Sequence, residues 1–134
     1  MRGQMHHIDL TVKDPEESAA LYDPVLRFLG YERIREHEWR LEGPTGGCSI
    51  ALNPAKGPNQ DRGHDRYSPG LHHFAWRAAS REEVDRFHEH LLRIGATILD
   101  APAEYPQYNS GQGYYAVFFT DPDGLKLEVA FTPN

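Results

Sequence analysis

The 134-residue chain has very little cysteine and no long hydrophobic run. Cys48 is its only cysteine, so an intrachain disulfide is excluded and nothing indicates an oxidising compartment. The longest apolar stretch, residues 114–119, is far shorter than the ~20 residues that a membrane helix needs. The N-terminal residues lack the charged-then-apolar pattern of a secretion signal. We therefore expect a cytoplasmic protein that makes no use of a membrane.

Positive charge is also scarce. The chain has 14 Lys and Arg residues against 20 Asp and Glu residues, a formal net charge of −6. Surfaces that bind nucleic acid are basic, so this balance argues against a nucleic-acid partner and favours a small-molecule substrate. At this length we expect one domain over residues 1–134, with a core large enough to fold without disulfides.

What the chain does contain is an internal repeat. The stretch His-His-Ile-Asp-Leu-Thr-Val at residues 6–12 returns as His-His-Phe-Ala-Trp-Arg-Ala at residues 72–78, which is an offset of 66 residues. Seven positions after the second histidine, each copy has a helix-capping residue, Asp14 or Ser80. A repeat of this size indicates two copies of one supersecondary unit.

Each copy is predicted to run strand, helix, strand, strand, strand. Apolar and polar residues alternate in the first strand of each copy, and each copy ends on a strand that follows a glycine. These strands each have an apolar face suited to a helix and a second face that carries polar side chains. We place module one at about residues 5–53, a linker at about 54–69 and module two at about 70–131.

Two features are expected to interrupt this regular pattern. Pro24 falls inside the first predicted helix and should kink or split it. Residues 101–113 are rich in Tyr, Pro and Gly and are predicted to form a long loop that only the second copy has. A long loop beside a candidate site is more often functional than idle.

Two histidines and a glutamate occupy corresponding strands of the two copies. His7 and His73 are equivalent in the repeat, and Glu128 lies on the matching face of the last strand. Two imidazoles and one carboxylate fit a divalent metal ion and leave open positions where a substrate with two adjacent oxygens can chelate. The ligand types do not identify the metal, and Fe²⁺, Mn²⁺, Zn²⁺ and Ni²⁺ all remain open.

Other side chains are weaker candidates. His6 and His72 alternate onto the helix-facing side and are predicted to be packing or hydrogen-bonding residues. No catalytic residue is assigned. The candidate substrate contacts lie on the polar strand faces and in the aromatic loop, and they are Thr11, Arg77, Tyr105, Tyr115 and Lys126.

These motifs resemble the vicinal oxygen chelate superfamily, the group of glyoxalases, bleomycin resistance proteins and extradiol dioxygenases. The resemblance covers about residues 5–131, and its most specific parts are the two His-His strands and Phe-Phe-Thr-Asp-Pro-Asp-Gly-Leu-Lys-Leu-Glu-Val at 118–129. It implies an α+β fold in which two tandem βαβββ modules form a partial barrel, and a homodimer. It also implies metal ligands at His7, His73 and Glu128, while the usual fourth ligand falls at Ala51, which cannot coordinate a metal.

Three functions are compatible with this resemblance. The first is a divalent-metal-dependent enzyme of dioxygenase or lyase/isomerase type that acts on a small oxygenated substrate. The second is a metal-free protein that sequesters a small aromatic or cationic compound, as the negative charge and the aromatic residues 105–115 would permit. The third is a domain in which the metal contributes stability alone. Whether His7 meets His73 within one chain or across a swapped dimer also remains open.

Overall fold

The computed structural model describes residues 2–134, which cluster into two compact units that divide between Gly63 and His64. Each unit holds one α-helix and one four-stranded sheet, as predicted for a pair of βαβββ modules. Within the described residues, no helix is both long enough and apolar enough to cross a membrane.

The first unit follows the predicted order of elements. Its sheet has the strand order β1-β4-β3-β2, in which β1 runs parallel to β4 and the other neighbours are antiparallel. The elements are β1 (His7–Val12), α1 (Pro15–Phe28), β2 (Glu32–Arg35), β3 (Glu38–Leu41) and β4 (Cys48–Pro54).

The second unit repeats this topology. Its sheet has the strand order β5-β8-β7-β6, with β5 parallel to β8 and the other neighbours antiparallel. The elements are β5 (His73–Arg77), α2 (Arg81–Arg93), β6 (Thr97–Glu104), β7 (Tyr115–Thr120) and β8 (Lys126–Phe131).

Both helices begin at the predicted caps. The side chain of Asp14 accepts a hydrogen bond from the backbone N–H of Glu16, and that of Ser80 accepts one from Glu83, each at 3.0 Å. Each contact satisfies one backbone donor that a helix start leaves without a partner.

The first helix is not split, because α1 continues through Pro24 as one element. A proline in a helix leaves the carbonyl four residues earlier without its N–H partner. Here that carbonyl belongs to Ala20, which is exposed, so water can satisfy it.

The helices cover the apolar faces of their sheets. In the first unit the core is centred on Trp39 and Tyr22, neither of which is exposed. In the second unit the ring of Phe87 on α2 lies 5.5 Å from that of Phe119 on β7, and both are fully buried. The opposite sheet face in each unit is therefore the one left for a site.

The loop predicted at residues 101–113 is shorter than expected. Residues 101–104 extend β6, and Ala103 and Glu104 pair with Ala116 and Tyr115 of β7. Pro102 is tolerated because it falls where the register shifts between Asp100 and Ala103. Only the residues after Glu104 form the connection to β7.

Candidate metal site

The second sheet places two of the three predicted ligands, His73 and Glu128, on its helix-free face. In the parallel ladder, Ala75 of β5 pairs with Glu128 of β8, and His73 pairs with Lys126. Since side chains alternate along a strand, His73, Lys126 and Glu128 share one face. Phe119 of β7 packs on α2 and marks the other face.

Glu128 is a buried carboxylate that contacts two side chains, those of Tyr114 and His73. Its residue is 2% exposed. Oε2 accepts a hydrogen bond from the hydroxyl of Tyr114, and Oε1 lies 3.3 Å from Nε2 of His73. No Lys or Arg nitrogen of this unit lies within 4.0 Å of it. Burying a carboxylate without a strong cation is costly, so this environment fits a residue that coordinates a metal.

The orientation of His73 is set by the residue before it. Nδ1 of His73 lies 2.7 Å from Nδ1 of His72, which leaves Nε2 on the side of Glu128. Metal-binding imidazoles usually have the second ring nitrogen held in this way. The prediction of a hydrogen-bonding role for His72 is confirmed, although its side chain is exposed and does not pack in the core.

The first unit has the same histidine pair. Nδ1 of His6 lies 2.9 Å from Nδ1 of His7, and Nε2 of His7 lies 3.7 Å from Oδ2 of Asp9. His6 is exposed and also hydrogen-bonds without packing in the core. Ala51, where the resemblance places a fourth ligand, is the register partner of Asp9.

Tyr114, the residue before β7, and Tyr115, the first residue of β7, point to opposite sides of the sheet. Tyr114 contacts Glu128, and its pKa is raised by burial and by that hydrogen bond. The hydroxyl of Tyr115 donates to Asp85 of α2 at 2.6 Å, a bond that, together with burial, raises the pKa of Tyr115 to about 12. Tyr115, a candidate substrate contact from the sequence, therefore lies on the helix side, and Tyr114 is the residue next to the candidate ligand.

The pairing of β7 with β8 places Tyr114 on the face of Glu128. Phe118 is the register partner of Glu128, so counting back in twos along β7 reaches Ala116 and then residue 114 on the same face. Tyr114 also belongs to a tyrosine cluster, which we define as Tyr105, Tyr108, Tyr114 and Phe118. Ring centroids in this cluster lie 5.3–6.4 Å apart. Tyr105, one of the candidate substrate contacts, lies in this cluster, and burial raises its pKa.

The basic candidates lie on either side of Glu128. Nζ of Lys126 is 4.5 Å from the ring centroid of Phe118, and Nη1 of Arg77 donates to Thr132 at 2.9 Å. Neither cation has a carboxylate of its own unit within 4.0 Å. Arg77 also borders a pocket of about 270 Å³, lined by Ala75, Trp76, Arg77, Tyr114, Ala130 and Thr132. In the first unit, Thr11 is exposed in β1, two residues beyond Asp9.

A separate group of possible ligands lies at the start of α1. One ligand atom each from Glu16, Glu36 and His37 lies within 4.8 Å of the others. Nε2 of His37 is 2.8 Å from Oε1 of Glu16, and both glutamates are exposed. No sequence pattern indicated this group, because Glu16 and His37 meet only after the chain has folded. A solvent-exposed ion pair accounts for the contact.

Comparison with known proteins agrees with this architecture. The model of the Glyoxalase/Bleomycin resistance protein/Dioxygenase superfamily matches residues 4–129. An uncharacterized protein of Bacillus subtilis, YqjT, is 33% identical over 125 residues, which are 93% of this chain and 96% of YqjT.

Two further proteins are similar to this chain, one in sequence and one in both sequence and structure. The metallothiol transferase FosB of Lysinibacillus sphaericus is 27% identical over 124 residues, covering 92% of this chain and 79% of FosB. A crystal structure of a candidate glyoxalase from Bacillus halodurans is 30% identical, with a TM-score of 0.73 over 97% of this chain and 96% of that one. The match to the crystal structure supports the fold.

Proposed function

Because the chain belongs to the glyoxalase/bleomycin resistance protein/dioxygenase superfamily, we propose that it is a divalent-metal-dependent enzyme acting on a small oxygenated substrate. His7, His73 and Glu128 are the proposed metal ligands, within one chain or shared between two copies in a homodimer. When bound, Fe²⁺, Mn²⁺, Zn²⁺ or Ni²⁺ would supply Lewis acidity to a chelating substrate, for chemistry of dioxygenase or lyase/isomerase type.

The observation that carries this proposal is the environment of Glu128. The carboxylate is 2% exposed, no Lys or Arg of its unit neutralises it, and one oxygen is directed at Nε2 of His73. A buried glutamate needs hydrogen bonds and an opposite charge to be stable there. Tyr114 supplies one hydrogen bond, and a divalent ion would supply the missing charge.

The surrounding side chains support a substrate that carries oxygen. Lys126 and Arg77 offer positive charge on the face that carries Glu128, and Thr132 adds a hydroxyl beside Arg77. These groups can hold a carboxylate or another oxygen-rich group while the remaining substrate oxygens reach the metal. Thr11 is proposed for a similar contact in the first module.

A second candidate function rests on the tyrosine cluster. Tyr105, Tyr108 and Tyr114 present stacked and edge-on rings next to Phe118, an arrangement that can bind a flat aromatic compound or a cation without metal. On this alternative, the protein sequesters its ligand. His73 and Glu128 would then form a salt bridge inside the binding pocket.

Elemental analysis of protein purified without chelators separates the two functions. We would compare the wild type with Glu128→Gln, which keeps the shape of the side chain and removes its charge, and with the exposed control Glu89→Gln. Near-stoichiometric Fe, Mn, Zn or Ni in the wild type and the control, with loss in Glu128→Gln, supports the metal site. The absence of metal from all three, even after anaerobic reconstitution, would contradict it.

Turnover assays then test the enzyme. The metal-loaded wild type would be screened with catechols, with hemithioacetals of dicarbonyl compounds, and with epoxides in the presence of thiols. Activity that depends on added metal and disappears in Glu128→Gln supports the proposal. A metal that raises the melting temperature without turnover of any of these substrates would favour the purely stabilising role.

A further inference from the structure

We propose that the pocket bordered by Arg77 is a carboxylate subsite, and that the substrate carries a carboxylate in addition to its chelating oxygens. This inference rests on the proposed function, because it specifies the substrate class of the same site. Arg77 is the proposed receptor, and it lies with the whole pocket in the second unit.

The register of β5 against β8 places Arg77 near Glu128 on one face of the sheet. Side chains two residues apart share a face, so three register pairs form successive rows on the helix-free face. In order, the pairs are His73 with Lys126, Ala75 with Glu128, and Arg77 with Ala130. With a rise of about 3.3 Å per residue, neighbouring rows lie about 7 Å apart. Arg77 is therefore one row from Glu128, on the side away from His73.

Small side chains leave the space between Arg77 and Glu128 open. Ala75 is the register partner of Glu128, and Ala130 is the register partner of Arg77. Both alanines line the pocket, whose volume is about 270 Å³. Pockets for drug-sized ligands have volumes of about 300–1,000 Å³, so this one suits a single compact group of a small molecule.

The guanidinium of Arg77 is held in place at the edge of the pocket. Its Nη1 donates to Oγ1 of Thr132 at 2.9 Å, and that hydroxyl donates in turn to the backbone oxygen of Asn134 at 3.0 Å. Within residues 64–134, no Asp or Glu oxygen lies within 4.0 Å of the guanidinium. Arg77 is thus oriented by a neutral partner, and its other N–H donors are available to an anion.

A carboxylate is the anion that best fits this arrangement. The planar guanidinium can donate two parallel hydrogen bonds to the two oxygens of a carboxylate. Because Thr132 already restricts the side chain of Arg77, less conformational entropy is lost when the ligand binds.

The other basic side chain on this face is less suited to the role. Lys126 lies in the row on the opposite side of Glu128 and is not among the residues that line the pocket. Its Nζ is 4.5 Å from the ring centroid of Phe118. The pocket therefore assigns the carboxylate to Arg77 and not to Lys126.

Tyr114 connects the pocket to the proposed metal ligand. It lines the pocket, and its hydroxyl donates to Oε2 of Glu128. A ligand whose carboxylate binds Arg77 would extend past Tyr114 toward Glu128, across the spacing of one row. The substrate class is therefore a small molecule with two adjacent oxygens at one end and a carboxylate a few carbon atoms away.

The first test measures carboxylate binding without metal. Backbone amide shifts of isotope-labelled, metal-depleted protein would be recorded during titration with butyrate and with butyramide, which has a similar shape and no charge. We expect saturable shifts at Ala75, Ala130 and Thr132 with butyrate, and about tenfold weaker binding of butyramide, because charge-assisted hydrogen bonds are stronger. Arg77→Gln should lose this preference, whereas the exposed control Arg93→Gln at the end of α2 should retain it.

The second test determines whether the pocket and the metal hold one ligand together. Calorimetry on metal-loaded protein would compare 2-oxoglutarate with 2-oxoglutaramate, in which an amide replaces the distal carboxylate. Both compounds can chelate an ion through adjacent oxygens. The wild type and Lys126→Gln should prefer the diacid by about tenfold or more. Arg77→Gln should lose the preference at unchanged metal content, and Arg77→Lys, which keeps the charge without the fork, should retain part of it.

Equal binding of butyrate and butyramide by the wild type, or a preference that survives in Arg77→Gln, would overturn the carboxylate subsite. Loss of the preference in Lys126→Gln alone would overturn the choice of Arg77. Circular dichroism would verify that each variant is folded.

Glu128→Gln keeps this failure separate from failure of the proposed function. If Glu128→Gln loses metal as expected and the wild type does not prefer the diacid, only the role of Arg77 is wrong. If the wild type holds no metal while butyrate still binds at Arg77, the carboxylate site stands and the metal-dependent function is wrong.

Discussion

The hydroxyl of Tyr114 donates a hydrogen bond to Oε2 of Glu128. This bond leaves Oε1 as the oxygen that faces Nε2 of His73. A carboxylate held through one oxygen has fewer orientations to lose when the other oxygen binds a metal, so the contact would orient Glu128 for its proposed role as a ligand. Tyr114 is thus a positioning residue for Glu128.

Tyr114→Phe should therefore weaken metal binding without unfolding the protein. Removal of the hydroxyl leaves the ring in place and frees Glu128 Oε2, and we expect affinity for Mn²⁺ or Zn²⁺ to fall roughly 10–100-fold. Tyr115→Phe is the matched control, since that hydroxyl bonds to Asp85 on the helix side. Calorimetric titration of both variants measures the effect, and an equal loss in the two variants would show that the Tyr114–Glu128 contact has no special role.

A second expected outcome concerns the acid stability of the first unit. The indole N–H of buried Trp39 donates to Oδ1 of Asp23 at 2.8 Å. Burial by itself raises the pKa of Asp23, but the bonds from Trp39 and Arg27, with the charges of Arg27 and Arg33, lower it overall. A carboxyl whose folded pKa lies below its unfolded value of about 3.9 stabilises the fold above that pH. The stabilisation is lost as the pH falls through the folded value.

Asp23→Asn should consequently destabilise the protein at pH 7 and have a smaller effect in acid. Loss of a charge-assisted hydrogen bond to a buried donor costs about 1–3 kcal/mol. Urea unfolding at pH 7 and again near pH 3 gives the difference between the variant and the wild type at each pH, with the exposed Asp61→Asn as control. If the loss of stability in Asp23→Asn were the same at both pH values, or larger near pH 3, folding would not lower the pKa of Asp23.

Whether a structural feature could be predicted from the sequence depends on how far apart in the chain the interacting residues lie. The helix starts at Asp14 and Ser80 were predictable because a cap acts on residues two or three positions away. His73 and Glu128 could be assigned to one face because strand periodicity is strict. Both predictions used only the spacing of residues along the chain.

The features that could not be predicted depend on contacts between residues that are far apart in the chain. Tyr114 and Tyr115 were not separated, because the faces of β7 become evident only through its pairing with β8. The tolerance of Pro24 depends on the exposure of Ala20, which follows from how α1 packs on its sheet. The relation of Asp9 to Ala51 likewise requires the register of β1 against β4, which no local pattern encodes.

Ser80→Ala is expected to destabilise the second unit by about 1 kcal/mol. The side-chain hydroxyl accepts from the backbone N–H of Glu83, and alanine leaves that donor without a partner inside the first turn of α2. Ser80→Thr retains an acceptor and should retain most of the stability. The measurement is thermal or urea unfolding of both variants, and an equally large loss in Ser80→Thr would indicate crowding at the cap in place of a missing hydrogen bond.

Gly113, the residue before Tyr114, should not tolerate a side chain. Its φ of +114° lies in the region that favours glycine, and an added Cβ would lie 3.1 Å from Cδ of Pro133. We expect Gly113→Ala to lose about 1–3 kcal/mol of stability. It should also weaken metal binding, because relief of the strain displaces Tyr114 from Glu128.

Gly95→Ala is the matched control. The φ of Gly95 is +75°, and no atom lies within 4 Å of the new Cβ. Gly95 lies away from Glu128, in the turn after α2. Unfolding measurements should show a loss in both variants, whereas calorimetry should show weaker metal binding only in Gly113→Ala; equal metal affinities would mean that the backbone at Gly113 does not position Tyr114.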